Sequence, residues 1–576
     1  MVPKIITSLV TGSIMLSASL QAAPYVPDAG SLQQQQRPAA VSKQKKQMVQ
    51  DNKGKSEPSK PFVIKPSANA KVPVKRFTFS GYEGTVSRSE LQDMVKPYVG
   101  KNLSMEQLHA VSANITSELR AKGWLASASL PPQDVTAGTV HITINSGKTA
   151  MTSITGDESV RICERPLRQI AEKTCPSGSP LNTDDQERAV LLMNDIPGIA
   201  ATTSLSKGML AGTTDVNYLI REGALLSGVL WGDNYGNRYT GTWTQNAVLN
   251  INDPIHYGEQ FSLNVGHSAG MWRGGVNYRV PMPFLFAGLT GHTGVSGMQY
   301  ELLEDFEVLD YEGSSINADA GLSYALLRSR KANLTSDVSY TYKGLKDSMG
   351  NTDLRDGTIQ SVTFGLSGNY RDDLFFGALP TADLSITKGS LEEKIRDISL
   401  SNSEGGYTRL NMGLARYQRF SEPFVLDLTF SAQRALNNLD SSEKFFLGGP
   451  HRVRAYPLGE AAGDHGALFK ADFRHRISVP EEWGDMFVNA FYDAGHVTLN
   501  KDRYASDSAT ITATGRNDYW LQGAGLGLRY DISENFTLQG CWAHTIGKNS
   551  GRSVDGNNSD GKSDNNRFWV QGLYYF

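Results

Sequence analysis

The sequence predicts a transmembrane β-barrel that follows two small α+β modules and an N-terminal segment with a short helix and a linker. Three observations carry that prediction. The chain opens with a charged residue and an apolar run of export type. Two helix-and-strand modules then repeat with a period near 75 residues. From about residue 224 to the end, strand alternation continues with almost no helical periodicity.

Composition agrees with such a barrel. Glycine is abundant at 57 of 576 residues, and the 22 Phe, 23 Tyr and 8 Trp make tyrosine the commonest aromatic. Many Gly, Tyr, Thr and Asn suit antiparallel strands with one lipid-facing and one wet face. A formal net charge of −3 gives no global attraction to nucleic acid. At the N-terminus, Lys4 precedes IITSLVTGSIMLSASL and then LQAAP, so residues 1–22 read as a signal peptide with Ala22 at the cleavage site. No other segment approaches the roughly 18 apolar residues of a membrane helix.

Residues 23–37 contain DAGSLQQQQR, a short helix capped by Asp28. Residues 38–71 are rich in Gln, Lys, Ser and Pro, cannot bury a core, and read as a flexible linker. The first module, residues 72–148, has strand VKRFTFSGY, two helices with Ser87 and Ser104 as N-caps and Gly123 as a stop, then strands WLASASL and GTVHITINSG. Residues 149–223 read as a degenerate second copy, with helices ERPLRQIAEK and NTDDQERAVLLMND before strands IAATTSLS and TDVNYLIREG. Cys163 and Cys175 flank the first of these helices, and in an oxidising compartment a local disulfide is expected over two free thiols. Cys541 is left unpaired, and no Cys/His spacing predicts a metal site.

The 353 residues from 224 to 576 hold strands such as EQFSLNVGH, SVTFGLSGNY and VLDLTFSAQ between Gly/Asn/Asp turns. In YTGTWTQNAVLNIN, Tyr239, Trp243, Ala247, Leu249 and Ile251 are expected on one strand face. At about 22 residues per strand and connection, the stretch makes about sixteen strands. The chain ends RFWVQGLYYF, with Phe568, Val570, Tyr574 and Phe576 sharing a face, the pattern by which barrel-insertion machinery reads outer-membrane substrates.

Two catalytic patterns fail on context. GHSAG at 266–270 matches the nucleophile elbow, but strand MWRGGVNYRV follows where a helix is required. SGKT at 146–149 lacks the upstream glycine of a phosphate loop. No enzyme and no cofactor are expected. The informative pair is FLGGPHRVRAYPLGE at 446–460 and NAFYDAGHV at 489–497. Phe487, Asn489, Phe491, Asp493 and Gly495 share the more polar face of their strand, which places Asp493 inside the lumen. A carboxylate there either invites a bidentate arginine or only lines a watery pore.

These residues carry a resemblance. LGGPHRVRAY…GDHG and FYDAG resemble the inward loop and inner-wall motifs of the two-partner secretion transporters, the TpsB family of the BamA-like superfamily. SASLPPQDVTAGTVHITINSG and WGDNYGNRYTG are similar to that family's first POTRA module and first barrel strands. The resemblance implies an N-terminal plug helix and linker, two α+β POTRA domains, and a 16-stranded antiparallel transmembrane β-barrel at 224–576 with an inward-folded loop at about 446–468. It also implies that Arg454 pairs with Asp493, within a loop motif of Gly448, Gly449, Val453, Ala455 and Tyr456 and an inner-wall motif containing Phe491 and Gly495. The commoner loop form has glycine at the position of Ala455, so Ala455 implies ordinary backbone and different packing there.

The implied function is an outer-membrane pore without ATP or cofactor, with its POTRA domains in the periplasm. Its partner would be a large TpsA-type exoprotein (adhesin, hemolysin or contact-dependent inhibition toxin), recognised through an N-terminal secretion domain. Outer-membrane lipid, barrel-assembly machinery during biogenesis and a monomeric state complete the expectation, with no nucleic acid. A BamA-like insertase is the alternative; a passive porin or an outer-membrane lipase fits less of the chain.

Overall fold

A computed structural model describes residues 26–35, 71–395, 403–503, 512 and 514–576. The expected signal peptide and almost all of the expected linker lie outside these residues. The first α+β unit begins at strand Lys71–Pro73 and has two helices, Arg88–Val95 and Met105–Ala121. Both start in capping boxes, Ser87 with Glu90 and Ser104 with Gln107, which satisfy orphan amides of the first turn. Their apolar stripes close on a three-stranded sheet ordered Arg76–Ser80, Thr139–Ser146, Ala126–Ser129, and Phe77, Leu91, Leu108, Ile115 and Ile142 form the core.

The second unit repeats this design with helices Glu164–Thr174 and Thr183–Asn194. Its sheet is ordered Lys148–Gly156, Thr213–Glu222, Ile199–Lys207, again one parallel and one antiparallel pairing. Strand Lys148–Gly156 was not among the elements expected from sequence. The expected disulfide is absent: Cys163 and Cys175 are free and sit at opposite ends of the 11-residue helix Glu164–Thr174. At 1.5 Å per residue their backbones are ~18 Å apart, whereas a disulfide needs Cα atoms within ~7 Å. The helix that suggested a link is what holds the thiols apart.

Sixteen antiparallel strands, from Leu226–Asp233 to Asn566–Tyr575, close into a barrel in which the last strand pairs with the first. Strand lengths run from 8 residues in Leu226–Asp233 to 19 in Thr352–Tyr370. The latter exceeds the ~9–11 residues needed to cross a bilayer. Because the first strand follows directly from the second α+β unit, the connections on that side are the short ones, none longer than residues 253–259, and the long connections such as 436–464 lie at the opposite end. Val265, Trp272, Phe364 and Leu526 are exposed on the outer wall, as lipid contact requires. Tyr239 departs from the expected strand face. It lies in the 3-10 turn Arg238–Thr240, fully buried, and the strand begins only at Thr244. Asn237 starts that turn by accepting the Tyr239 amide, and local capping overrides the alternation.

The second unit is bolted to the barrel. Arg328 makes a two-point ion pair with Asp195 at 2.7 and 2.8 Å. Arg188 donates to the Ala325 carbonyl at 2.7 Å, and the Cys163 amide donates to the His256 carbonyl at 2.8 Å. The two units share short backbone contacts, including Leu125 N–H to the Leu181 carbonyl at 3.0 Å.

Candidate functional site

Among the described residues, two chain segments fill the lumen. The connection between strands Phe424–Ala435 and His465–Ile477 folds inward and buries Leu447, Val453, Ala455 and Tyr456 against the wall. Gly449 allows the turn, with φ +122°. Two wall glycines let the loop approach. A Cβ on Gly495 would lie 2.4 Å from Leu447 Cδ2, and one on Gly523 would lie 2.5 Å from the Ala455 Cβ. Ala455 keeps ordinary backbone, and its methyl fills the space that Gly523 leaves open.

Arg454 is the centre of this contact. Its Nε and Nη2 donate to Asp493 at 2.8 and 2.6 Å, and its backbone N–H adds a third bond at 3.1 Å. Nη1 and Nη2 also donate to Asp472 at 2.7 and 3.0 Å. The guanidinium lies 3.5 Å from the centroid of the Phe491 ring, and Trp569 Nε1 donates to the Arg454 carbonyl at 2.7 Å. Arg454 is 8 % exposed and Asp493 0 %. Two carboxylates sharing one planar guanidinium make a bidentate arrangement that lysine cannot reproduce.

Asp472 was missed from sequence. Its signal was the alternation of Lys470, Asp472 and Arg474 with Phe469 and Phe473 in strand His465–Ile477. The two phenylalanines are exposed outside, so the polar set faces the lumen. A second constellation was also missed. At the loop's root, Glu443 pairs with Lys343 at 2.5 Å and with Arg409 at 2.7 Å.

The second filling segment is helix α1, Ala29–Gln35. Asp28 caps it by accepting the Ser31 amide at 2.7 Å. Ala29, Gly30, Ser31 and Leu32 are buried, with Leu32 in a cluster of lumen residues that includes Tyr300, Leu345, Ile359 and Leu391. The Ala29 amide donates to Asp347 Oδ1 at 2.9 Å, and Tyr300 donates to the same oxygen at 2.6 Å. Arg355 pairs with Asp440 on the loop and lies 3.5 Å from Asp28 and 3.6 Å from Asp347. Ser441 on the loop donates to Asp28 at 2.9 Å. One arginine therefore joins helix, loop and wall.

Phe568, Tyr574 and Phe576 are exposed on the outer wall, Phe568 at 68 %, with Val570 beside them. Phe576 exchanges backbone hydrogen bonds with Gly228 of the first strand at 3.0 and 3.2 Å. Ser268 of GHSAG ends a strand, is buried, and donates to the Thr240 carbonyl at 2.5 Å, in a hairpin with no helix behind it. Cys541, the remaining cysteine, is a free thiol on strand Phe536–Ile546.

Comparison with known proteins agrees with this architecture. The sequence model of the family described as haemolysin secretion/activation protein ShlB/FhaC/HecB matches residues 212–530, and that of the ShlB-type POTRA domain matches residues 72–147. The heme/hemopexin transporter protein HuxB of Haemophilus influenzae strain 86-028NP is 25% identical over 500 residues, 85% of each chain. The outer membrane transporter CdiB of Escherichia coli O6:K15:H31 is 24% identical over 512 residues, 83% of each chain. Among solved structures, CdiB from Escherichia coli superposes with TM-score 0.76 at 18% identity, covering 96% of this chain and 100% of that one. BamA from Haemophilus ducreyi lacking POTRA domains 1–3 superposes at 0.51 and 13% identity, covering 88% of this chain and 100% of that one. A POTRA-bearing unit, a closed sixteen-stranded barrel of the outer membrane and a match over more than half the chain lead to one conclusion: the protein belongs to the haemolysin secretion/activation family of two-partner secretion transporters.

Proposed function

We propose that this protein secretes a large TpsA-type exoprotein, unfolded and without ATP, after its periplasmic units capture the exoprotein's N-terminal secretion domain. In this reading residues 23–37 are a plug helix, 38–71 its linker, 72–148 and 149–223 two POTRA domains, and 224–576 a monomeric barrel in lipid. Adhesins, hemolysins and contact-dependent inhibition toxins are the cargo classes it fits. The barrel moves a polypeptide and performs no chemistry; the buried, hydrogen-bonded Ser268 is in keeping with that. The closing aromatic strand is its signal to the barrel-assembly machinery.

The observation that carries the proposal is how the lumen is closed. A sixteen-stranded barrel encloses an aqueous channel unless it is plugged. Here loop and helix are held to the wall by buried ion pairs on Arg454, Arg355 and Glu443, beside the apolar contacts of Leu447, Val453, Tyr456 and Leu32. Such contacts break as units and re-form in water, so the plugs can be displaced without dismantling the wall. Arg454, with Asp493 and Asp472, is the brace that keeps the loop in its working position. Client capture proceeds by β-augmentation, in which the client adds a strand to an exposed sheet edge. Folding outside the cell then biases passage outward.

Deleting residues 72–148 tests the capture step. Secretion is expected to stop while the barrel still assembles and keeps its heat-dependent gel mobility. Continued secretion by the truncated chain would refute the role given to the first unit.

A further inference from the structure

The outer wall carries a depression near its periplasmic end, an open trough of about 510 Å³. Strand register explains its shape. Gly368, Ala382, Leu414, Phe430 and Phe469 form one row across neighbouring strands, each opposite the next. Two residues nearer the periplasm, Pro380, Arg416 and Leu428 form a second row, and Tyr370 stands beside Pro380, one step past the Asn369–Thr381 pair. Alternate residues share a strand face, and Tyr370, Leu414 and Phe469 are exposed, so both rows look outward.

Residue size makes the hollow. Gly368, Pro380 and Ala382 have little or no side chain, whereas Tyr370 rises on one flank and Leu414, Phe430 and Phe469 on the other. With strands ~4.8 Å apart, the small residues open a floor about 10 Å wide from strand Thr352–Tyr370 to strand Gly405–Arg419. The row farther from the periplasm is wholly apolar, as hydrocarbon contact requires.

The periplasmic end of the trough is charged. Lys331, in the turn before strand Ala332–Met349, holds its ammonium 5.5 Å from the centroid of the Tyr370 ring. Among the described residues it pairs with no carboxylate. Arg416 lies across the same row, with Nη1 2.9 Å from Asp372 and Nη2 donating to Gln418 at 2.7 Å. Lys331, Arg371 and Arg416 against Asp372 and Asp373 leave one positive charge in excess. The second α+β unit fixes the level of this rim. The Arg330 amide donates to Glu187 of helix Thr183–Asn194 at 2.6 Å, and the Arg371 amide to the Lys331 carbonyl at 2.8 Å. Lys331 therefore stands where the membrane meets the periplasm.

We propose that the trough is a binding site for one glycerophospholipid of the periplasmic leaflet, with its acyl chains on Gly368, Pro380 and Ala382 and its phosphodiester at Lys331 and Arg416. The occupant is a lipid because the trough is continuous with the wall that faces hydrocarbon. It is a phospholipid because the excess charge sits at the headgroup end, where basic side chains attract phosphate. Ordinary wall lipid would account for the apolar floor. It would not account for a hollow of small residues that ends on an ammonium without a protein counter-ion.

The test uses the full-length transporter in detergent, dioleoylphosphatidylglycerol as probe, and native mass spectrometry as readout. The wild type should retain one probe molecule at collision energies that strip the remaining lipid and detergent. Lys331→Gln should cut the retained fraction at least fivefold. Ala382→Trp fills the floor and should abolish retention, whereas Val276→Trp, exposed elsewhere on the outer wall, should change it less than twofold. Dioleoylglycerol, with the same chains and no phosphodiester, should not be retained. Barrel heat-mobility reports that the variants fold, and if Ala382→Trp misfolds, Ala382→Leu replaces it with at least a fivefold loss expected. Equal retention by the wild type, Lys331→Gln and the Ala382 variant would overturn the site. So would equal retention of dioleoylglycerol, or a loss in Val276→Trp as large as in the Ala382 variant, since either is the behaviour of ordinary wall lipid.

Discussion

Arg454 donates five hydrogen bonds to Asp493 and Asp472, and replacing it with alanine leaves the two carboxylates without their shared guanidinium. Four of those bonds come from the guanidinium. The fifth, from the backbone amide, survives only if the loop stays in place. Asp493 has no exposure and, among the described residues, pairs with no other cation, so its charge is stranded. Asp472 keeps one bond from Asn489 at 3.0 Å. Breaking a buried pair on one side costs about 3–5 kcal/mol. That corresponds to roughly two to three and a half powers of ten in the equilibrium between docked and undocked loop. Arg454→Lys should recover only part of this, because an ammonium cannot span both carboxylates. The assay is the temperature at which the barrel loses its compact gel mobility, read beside exoprotein secretion. Arg454→Ala should lower both, and Arg454→Ala/Asp493→Ala should fall short of the summed single effects, as coupled residues do. Unchanged heat stability and secretion in Arg454→Ala would refute the brace.

Two further outcomes are expected. Arg355→Ala cuts the common link among Asp28, Asp347 and Asp440, so α1 should leave the lumen more often; planar-bilayer recordings should show larger and longer conductance steps than the wild type, and identical traces would count against the link. Cys163 is exposed and should alkylate in the folded protein without reductant, whereas Cys175, whose thiol burial pushes up to about 11, should react only after unfolding. Equal protection of both thiols that is released by reductant would restore the disulfide.

Much of this architecture was legible because it depends on period and local chemistry. Alternation in VLDLTFSAQ and FYDAG places residues on a wet or a lipid face whatever the neighbouring strand is. Ser87 and Ser104 cap helices through bonds closed within three residues, so capping too is read locally. Tyr239 failed because a competing local signal, the Asn237 turn, won over the alternation. The Cys163–Cys175 expectation failed because proximity in sequence was taken for proximity in space across a rigid helix.

By itself the sequence determined the strand faces, the two repeated modules, and that Asp493 belongs to the inner wall of a barrel; the inward fold of the arginine-bearing loop was implied only by the family resemblance. Only the tertiary structure decided which strands meet and what stands opposite Arg454. Asp472 and Asp493 face one guanidinium because strands His465–Ile477 and Asp485–Thr498 pair in a register that no local pattern specifies. The same holds for α1, whose short polar sequence gives no reason to be buried. It is buried because Asp347 and Arg355, opposite each other in one wall hairpin, and Ser441 on the distant inward loop meet its cap and first turn. Hydrogen-bond partners of a lone charge are set by closure of the whole barrel, and closure is a property of all sixteen strands together.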